Sequence, residues 1–310
     1  MQSEPQQSLV LETPDIVPVA SDGGSRVAVA VAPDSHTTTL AGWPRKYVAG
    51  SWLLAFPRVL TVSVVIPSFN GAAYLGEALA SALAQEPPPL EILVQDAGST
   101  DGTAELVAAL DDPRVVFTQE ADRGQSDALN RAIARARGEW IVWLNADDLA
   151  RPGLVAAARE DADIVYGDFE WIDDAGHQIR HFAPGPEFSA RRLLADGCYV
   201  FSGAMLLRRS LFERFGAIDE SLRLTMDYDF FLRIAPHVRA AYVPQTLAAF
   251  RVHGASKTSA VSWGVFRETG RVRRRHGGYG PETRRAVVTN QVKQVVDVST
   301  LPIRRRLGWR

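Results

Sequence analysis

The sequence contains a single cysteine, Cys198, among 310 residues. One thiol excludes a disulfide framework and a metal site built from several cysteines, and it fits a reducing compartment. We expect Cys198 to be a small core residue. No apolar stretch reaches the length of a membrane span, and the N-terminus lacks the basic and then apolar pattern of a secretory signal. The sequence therefore predicts a cytoplasmic protein, soluble or peripheral at the inner face of the membrane.

Two common nucleotide-binding motifs are also missing. No glycine-rich stretch is followed by Lys-Ser or Lys-Thr, as a Walker loop requires, and no G-x-G-x-x-G follows the first predicted strand. If the protein binds a nucleotide, it must do so with other groups.

Positive charge is scarce in most of the chain and concentrated at its end. The net charge is −2, yet residues 267–310 hold twelve Lys and Arg against three acids. With Ile303, Leu307 and Trp309 among arginines, this tail predicts a peripheral membrane contact, and a solvated helix face is the alternative. Nucleic acid is not an expected partner, because the body is acidic and the tail holds no known reading module.

Composition divides the chain into three predicted parts. Residues 1–58 carry scattered Pro, Ser, Gly and Thr without sustained periodicity, which is typical of a poorly ordered leader. The 46% hydrophobic content suits one large core, placed at residues 59–255. Residues 256–310 are the predicted basic helical extension.

The first half of the predicted domain alternates strands and helices. The strands are VSVVIP (62–67), EILVQ (91–95), RVVFTQ (114–119) and WIVWLN (140–145), and the helices between them are 72–85, 103–110 and 126–137. This order with short loops predicts right-handed crossovers and a parallel sheet covered by helices on both faces.

Beyond Asp148 the alternation lapses. Residues 163–173 and 177–182 read as a β-hairpin, and 199–209 as a strand entering a helix. We expect this half to form a mixed sheet and the acceptor side of a cleft. The predicted fold class is therefore α/β, with a nucleotide-binding parallel half fused to a mixed half and a helical C-terminal tail.

Polar and acidic residues follow all four strands of the first half, where ligands of such sheets bind. The ordered set VSVVIPSFN, EILVQDAGSTDGT, EADRGQSDALNRAIARARGEWIVWLNADD and MDYDFFLR resembles family-two glycosyltransferases of the GT-A fold, over roughly residues 61–255. It is most similar to bacterial enzymes that build O-antigen and other cell-surface polysaccharides. The resemblance implies inverting transfer from a nucleotide-sugar donor, with Mg²⁺ or Mn²⁺, to a glycan or lipid-linked acceptor.

The resemblance also implies roles for residues at the strand ends. Asp96 resembles the acid that hydrogen-bonds the nucleobase, and Pro67, Ser68 and Asn70 line the nucleotide pocket by the same comparison. Asp122 either contacts the nucleotide or forms a plain turn.

The stretch Asn145-Ala146-Asp147 occupies the place of the family's Asp-x-Asp motif, with Asn145 where Asp often stands. Asn145 can still bond ribose or phosphate groups. Asp147 is then the metal-side acid with Asp148 beside it, since one or two carboxylates suffice for Mg²⁺ or Mn²⁺ bound to phosphates. Alternatively, both acids open the next turn or cap a helix. His253 lies in a segment resembling a family motif near the diphosphate, and we assign it a diphosphate or metal role.

Asp227 precedes Phe230, Phe231 and Ile234 by three, four and seven residues. That spacing places its carboxylate on the apolar stripe in the first turn of a helix. The position matches the family's catalytic acid, which implies a general base; the alternative is an acid stabilised by the helix dipole. Asp229 is the expected structural member of the pair.

Two functions stay open at this point. Asp96, Asp147 and Asp227 favour an active glycosyltransferase. Asn145 instead favours a sugar-nucleotide binding or scaffold protein with the same fold.

Overall fold

The computed structural model of the chain describes residues 16–18, 28–30, 58–254, 263–278, 280, 284–285 and 287–289. The chain divides into two compact units, Met1–Val59 and Leu60–Arg310. In the first unit, β1 (Ile16–Pro18) and β2 (Ala28–Ala30) pair antiparallel. Most of the predicted leader lies outside the described residues.

The second unit begins with strands and helices that alternate along the chain. They are β3 (Val62–Ser68), α1 (Ala72–Leu83), β4 (Glu91–Asp96), α2 (Thr103–Ala108), β5 (Val115–Gln119), α3 (Gln125–Arg135) and β6 (Trp140–Trp143). The four strands pair in parallel in the order β5-β4-β3-β6. The predicted parallel half is thereby confirmed, with element bounds shifted by a few residues.

The second half extends the same sheet with mixed pairing. Its elements are β7 (Leu149–Ala150), β8 (Ile164–Ile172), β9 (Gln178–Phe182), α4 (Ala190–Asp196), β10 (Met205–Arg208), α5 (Arg209–Phe215), α6 (Met226–Ile234), β11 (Ala240–Arg251) and α7 (Trp263–Arg275). β10 joins β6 antiparallel, β8 and β11 follow, and β7 lies at the edge. β9 forms the predicted hairpin with β8.

Apolar side chains cover both faces of the sheet. One core packs the buried residues of α1 and α2 against the strands. The other packs the opposite face against α3, α4, α5 and α6, and it also takes Val272 of α7. This part of the basic C-terminal segment therefore packs in the same core as α6.

Two glycines allow close approaches between chain segments. A Cβ at Gly138, after α3, would lie 2.5 Å from the backbone nitrogen of Ser63 in β3. A Cβ at Gly167 in β8 would lie 2.6 Å from the carbonyl oxygen of Gln245, where the β8–β11 register shifts. Larger residues at either position would push the strands apart.

Within the residues that the structure describes, no helix is long and apolar enough to cross a membrane. Residues 291–310, which include Ile303, Leu307 and Trp309 of the expected membrane contact, lie outside the described residues. The membrane contact therefore stays a prediction.

Candidate active site

The ends of β3, β4 and β5 meet at one edge of the sheet. Ser68 pairs with Asp96, and Asp96 pairs with Gln119 of β5. The chain leaves β6 at the same edge and reaches Asn145 two residues later. The parallel topology thus brings the polar strand ends together, as the sequence predicts.

Asp96 is fully buried, and four donors surround its carboxylate. Oδ1 accepts from the backbone nitrogens of Gly98 (3.0 Å) and Ser99 (2.7 Å) and from Gln119 Nε2 (3.1 Å), and Oδ2 accepts from Ser99 Oγ (2.5 Å). Burial by itself raises the pKa of this carboxyl group, but these hydrogen bonds prevail and hold the pKa below its usual value. Asp96 is therefore an ionised residue that organises its own loop.

Asn70 lies across from that loop and ties it to the start of α1. Its backbone nitrogen donates to Ser99 Oγ (2.7 Å), and its side-chain oxygen accepts from the nitrogen of Thr100 (3.1 Å). Asp101 accepts from the nitrogen of Ala72 at 2.9 Å, at the first residue of α1. Asn70 has a φ of +50°, which asparagine tolerates better than most residues. The two loops therefore form one wall at this edge of the sheet.

Pro67 and Ser68 end β3 beside this wall. Pro67 lies opposite Gln95 in the ladder, while the buried Ser68 hydroxyl has no hydrogen-bond partner in the described part of the chain. A Cβ at Gly71 would lie 3.1 Å from that hydroxyl oxygen. The next side chain, Phe69, is 65% exposed. This strand end therefore offers an unused hydroxyl and an exposed aromatic ring.

Asp122 forms a turn, since its Oδ1 accepts from the backbone nitrogen of Gly124 at 2.8 Å. Arg123 between them pairs with Asp127 (3.3 Å) and with Glu220 (2.8 Å). The structure thus contains the plain turn that the sequence allowed, and the nucleotide contact of Asp122 stays a prediction.

Asn145 connects the end of β6 to the buried Asp148. Its Oδ1 accepts from Gln125 Nε2 (2.8 Å) and Trp143 Nε1 (3.1 Å), and its Nδ2 donates to Asp148 Oδ2 (2.7 Å). Asp148 Oδ1 accepts from the backbone nitrogen of Arg251 at 2.9 Å. These two bonds connect strand β11 to the loop after β6, and the Asp148 side chain between them is 0% exposed.

Asp147, the neighbouring acid, faces the other way. Its Oδ2 lies 3.0 Å from His253 Nε2, and 30% of its side chain is exposed. The His253 ring packs against Tyr74 of α1 with centroids 4.6 Å apart. Burial, followed by the negative charge of Asp147, raises the pKa of Asp148 well above its usual value. The two adjacent acids therefore have different surroundings and partners.

Within the described residues, no group of three His, Cys, Asp or Glu side chains is placed to hold a metal ion. The structure brings together two of the three predicted ligands, Asp147 and His253, and turns Asp148 away from them. The 3.0 Å between Asp147 Oδ2 and His253 Nε2 is a hydrogen-bond distance, and the partly exposed Asp147 supplies the carboxylate oxygen that Mg²⁺ and Mn²⁺ prefer. To hold Mg²⁺ or Mn²⁺, the pair would need phosphate oxygens and water as the other ligands.

Asp227 lies in the first turn of α6 with its side chain half-buried. Its Oδ1 accepts from the backbone nitrogen of Tyr228 at 2.7 Å. Burial raises the pKa of this carboxyl group to about 6, and the negative charge of Glu268 adds to the rise. The general-base role of Asp227 stays a prediction, and a pKa of about 6 is compatible with it.

Asp229 is turned to the opposite side of α6 and is buried among cations. It lies 3.0 Å from both Arg275 and His276 of the C-terminal segment and 3.5 Å from Arg233. Burial raises the pKa of this carboxyl group, but the hydrogen bond and charge of His276 and the nearby arginines leave it lowered overall. The contacts match the structural role expected for Asp229.

A cavity of about 280 Å³ opens between the start of α3 and the start of α6. Residues from both helices and from the turn before α6 line it: Gly124, Gln125, Ser126, Leu222, Arg223 and Met226. Gln125 also bonds Asn145, which connects this cavity to the strand ends. The sequence did not identify Gln125 and Arg223 as cavity residues. The Gly124-Gln125 pair did indicate a loop at the start of α3.

Cys198 is exposed, so the prediction that it is a core residue is wrong. It lies between α4 and β10, near enough to Asp227 that the two groups interact. Crowding by surrounding protein, followed by the charge of Asp227, raises the pKa of the thiol. The prediction failed because Gly197 ends α4 and leaves Cys198 in the loop that follows, which composition does not reveal.

Comparison with known proteins gives consistent matches. The profile described as Glycosyl transferase family 2 matches residues 63–216. A PGL/p-HBAD biosynthesis glycosyltransferase of Mycobacterium bovis is 30% identical over 64% of this chain and 80% of its own length. An uncharacterized glycosyltransferase of Rickettsia typhi is 33% identical over 64% of this chain and 66% of its own.

Two further matches extend the comparison. The succinoglycan biosynthesis protein ExoO of Rhizobium meliloti is 32% identical over 56% of this chain, which spans 55% of that protein. Among solved structures, S. aureus TarS 1-349 in complex with UDP-GlcNAc superposes with a TM-score of 0.58 at 18% identity, over 70% of this chain and 65% of that one. The similarity in structure confirms the predicted GT-A fold.

Proposed function

Because the chain belongs to glycosyltransferase family 2, we propose that it moves a sugar from a nucleotide-sugar donor to an acceptor hydroxyl with inversion at the anomeric carbon. The observation that carries the proposal is the Asp227 carboxylate, half-buried with a pKa of about 6, on the helix that lines the cavity. A base of that strength is mostly ionised at neutral pH and still accepts a proton readily.

The donor binds at the strand ends in this proposal. The nucleotide lies along the wall formed by Asn70 and Asp96, with Pro67 and Ser68 beneath it and Asp122 and Asn145 at its sides. TarS, with the same fold, has been solved in complex with UDP-GlcNAc and with UDP, which supports a nucleotide-sugar as the donor. The exposed Phe69 ring suits an aromatic ligand such as a nucleobase.

Asp147 and His253 hold Mg²⁺ or Mn²⁺ together with the donor diphosphate. When bound, the metal neutralises the charge that develops on the departing nucleotide. Asp148 supports Asp147 from behind, because its hydrogen bonds to Arg251 and Asn145 fix the loop that carries both acids. Arg251 adds to this support by donating from Nε to the carbonyl oxygen of Asp147 at 3.0 Å.

Asp227 acts on the acceptor side. Inversion requires the acceptor hydroxyl to attack opposite the leaving nucleotide and to lose its proton as it attacks. Asp227 takes that proton on its carboxylate. The helix fixes the carboxylate through the bond from Tyr228, so the base does not need to reorganise during the step.

The acceptor belongs to cell-surface glycan synthesis in this proposal. One relative is named for succinoglycan biosynthesis and another for PGL/p-HBAD biosynthesis. These names favour a glycan or lipid-linked acceptor, as in O-antigen assembly, presented at the cytoplasmic face of a membrane.

The test is release of nucleoside diphosphate from a panel of nucleotide-sugars with Mg²⁺ or Mn²⁺, together with transfer to glycan and lipid-linked acceptors. We expect at least one donor to be consumed in an acceptor-dependent manner, and Asp227→Asn, assayed in parallel, to consume it about 10²- to 10⁴-fold more slowly. The second candidate, a binding or scaffold protein, is favoured by Asn145 at the motif position. Tight donor binding without turnover in any acceptor mixture would favour that candidate.

A further inference from the structure

Helix α7 holds the turn that precedes α6 through the side chain of Glu268. Glu268 Oε2 accepts from the backbone nitrogens of Leu224 (2.7 Å) and Thr225 (2.8 Å) and from Thr225 Oγ1 (3.0 Å). Its Oε1 accepts from the nitrogen of Arg223 at 3.1 Å. Thr225 is the N-cap of α6 but makes no capping bond with its own side chain. An acid about forty residues further along the chain therefore fixes the entry to the helix.

The same two helices are joined a second time on the far side of α6. Asp229 lies 3.0 Å from Arg275 and from His276, the last residue of α7 and the one after it. Arg275 also pairs with Asp219, before the turn, at 2.7 Å. Asp227 lies between these two attachments in sequence. Its position is therefore set by α7 as well as by its own helix.

We propose that Glu268 is the positioning residue for Asp227: it fixes the turn at residues 223–225 so that the Asp227 carboxylate meets the acceptor hydroxyl, and it keeps a negative charge beside that carboxylate. The catalytic part of this inference rests on the proposed function. The attachment of the turn to α7 rests on the hydrogen bonds of Glu268 and does not depend on that function. This role of Glu268 makes α7, part of the basic C-terminal segment, a part of the active site.

The charged groups around Asp227 are consistent with this role of Glu268, because they favour a raised pKa of Asp227. Burial raises the pKa of Asp227 most, hydrogen bonds from the backbone nitrogens of Tyr228 and Asp227 lower it, and the charge of Glu268 from α7 adds a smaller rise. The Cys198 thiol, from the segment between α4 and β10, also faces Asp227, and its own pKa is raised. Asp229, on the same helix, is turned toward Arg275, His276 and Arg233. Removing the charge of Glu268 should thus weaken the base.

Two substitutions separate the charge of Glu268 from its contacts. Glu268→Gln can turn its one carbonyl oxygen toward Leu224 and Thr225, so it keeps those contacts but loses the charge and the bond from the Arg223 nitrogen. Glu268→Ala loses both. The matched control is Glu213→Gln, the same chemical change on α5 at a side chain that is 62% exposed.

Titration of Asp227 is followed by ¹³C NMR of protein labelled in the aspartate carboxyl groups, with the signal assigned from its loss in Asp227→Asn. We expect Glu268→Gln to lower the titration midpoint and Glu213→Gln to leave it unchanged. An unchanged midpoint in Glu268→Gln would overturn the charge part of the proposal. This measurement needs no substrate, so it stands even where the proposed function fails.

The transfer assay completes the test. We expect the acid limb of kcat in Glu268→Gln to move to lower pH, and Glu268→Ala to lose about 10- to 100-fold in kcat at every pH, with the Kd for the donor unchanged. A loss of melting temperature in Glu268→Ala without loss of kcat would reduce Glu268 to a structural residue and overturn the positioning role. If the wild-type chain consumes no donor and Glu268→Gln still lowers the titration midpoint, the proposed function is rejected and the charge effect of Glu268 on Asp227 is kept.

Discussion

The acids at the strand ends and the acid at the start of α6 have opposite surroundings. Asp96 accepts four hydrogen bonds from its own chain, and Asp148 accepts two with no exposed surface. Asp227 accepts from the backbone nitrogen of Tyr228, and its side chain is half-buried next to Met226, which lines the cavity. A carboxylate whose acceptor positions are filled by the protein shapes loops, whereas one with unused acceptor positions can act on a substrate.

The adjacent acids Asp147 and Asp148 repeat this difference at a single motif. Asp148 is buried behind the loop, and Asp147 is partly exposed and paired with His253. A raised pKa alone does not distinguish function, because Asp148 and Asp227 both have one. Exposure separates them, because Asp148 is fully buried and Asp227 is half-buried.

The largest effect is expected at Asp227. Asp227→Asn keeps the size of the side chain and removes its basicity, so kcat for sugar transfer should fall about 10²- to 10⁴-fold, equivalent to roughly 3 to 5.5 kcal/mol of barrier. Donor affinity, measured by calorimetry, should stay the same. A fall of under about tenfold would place Asp227 with the structural acids.

Melting of the same variant is the control. The pKa of Asp227 is raised in the folded state, so its stabilising effect is present at low pH and is lost as the pH rises through about 6. At a pH well above that value, the neutral amide should therefore melt no lower than the wild type. A large drop in melting temperature would mean that unfolding explains the lost rate.

A smaller effect on binding is expected at Asp147. Asp147→Asn should weaken nucleoside diphosphate binding in Mn²⁺ by about tenfold or more, as expected when a charged partner is lost. Wild type and variant should bind equally in EDTA. Asp161→Asn, at an exposed acid paired with Arg159, is the control. Equal affinity of the wild type with and without EDTA would rule the metal role out.

Asp148 should affect stability and not chemistry. Asp148→Asn places an NH₂ group against either the Arg251 nitrogen or Asn145 Nδ2, both of which are donors. Chemical denaturation should show a loss of roughly 1 to 3 kcal/mol, while kcat of the folded fraction stays within a few fold. A variant with wild-type stability and no transfer would make Asp148 a ligand and remove the contrast with Asp147.

The sequence was sufficient for the parallel half because its signals are local. Strand periodicity, helix spacing and the polar strand ends are enough to place Asp96 and Asn145 at one edge of the sheet. The mixed half of the sheet was harder to predict. Short elements such as β7 and α4 carry little periodicity, and the β8–β11 pairing joins segments that are far apart in the sequence.

The parts of the site that sequence could not supply depend on tertiary contacts. The bond between Glu268 and the turn before α6 exists only because α7 packs against α6. The orientation of Asp148 depends on Arg251, about one hundred residues away. The motif thus identified both acids but did not reveal which one faces the cleft.

The pH dependence of kcat in the wild-type protein tests the central claim most directly, because it reports the ionisation of the working acid under saturating donor and acceptor. Asp227 is protonated below its pKa of about 6 and cannot then accept the acceptor proton. We predict that kcat rises about tenfold per pH unit below that pKa and is constant above it. A profile that stays flat from about pH 4.5 to about pH 8 would contradict the assignment of Asp227 as the base.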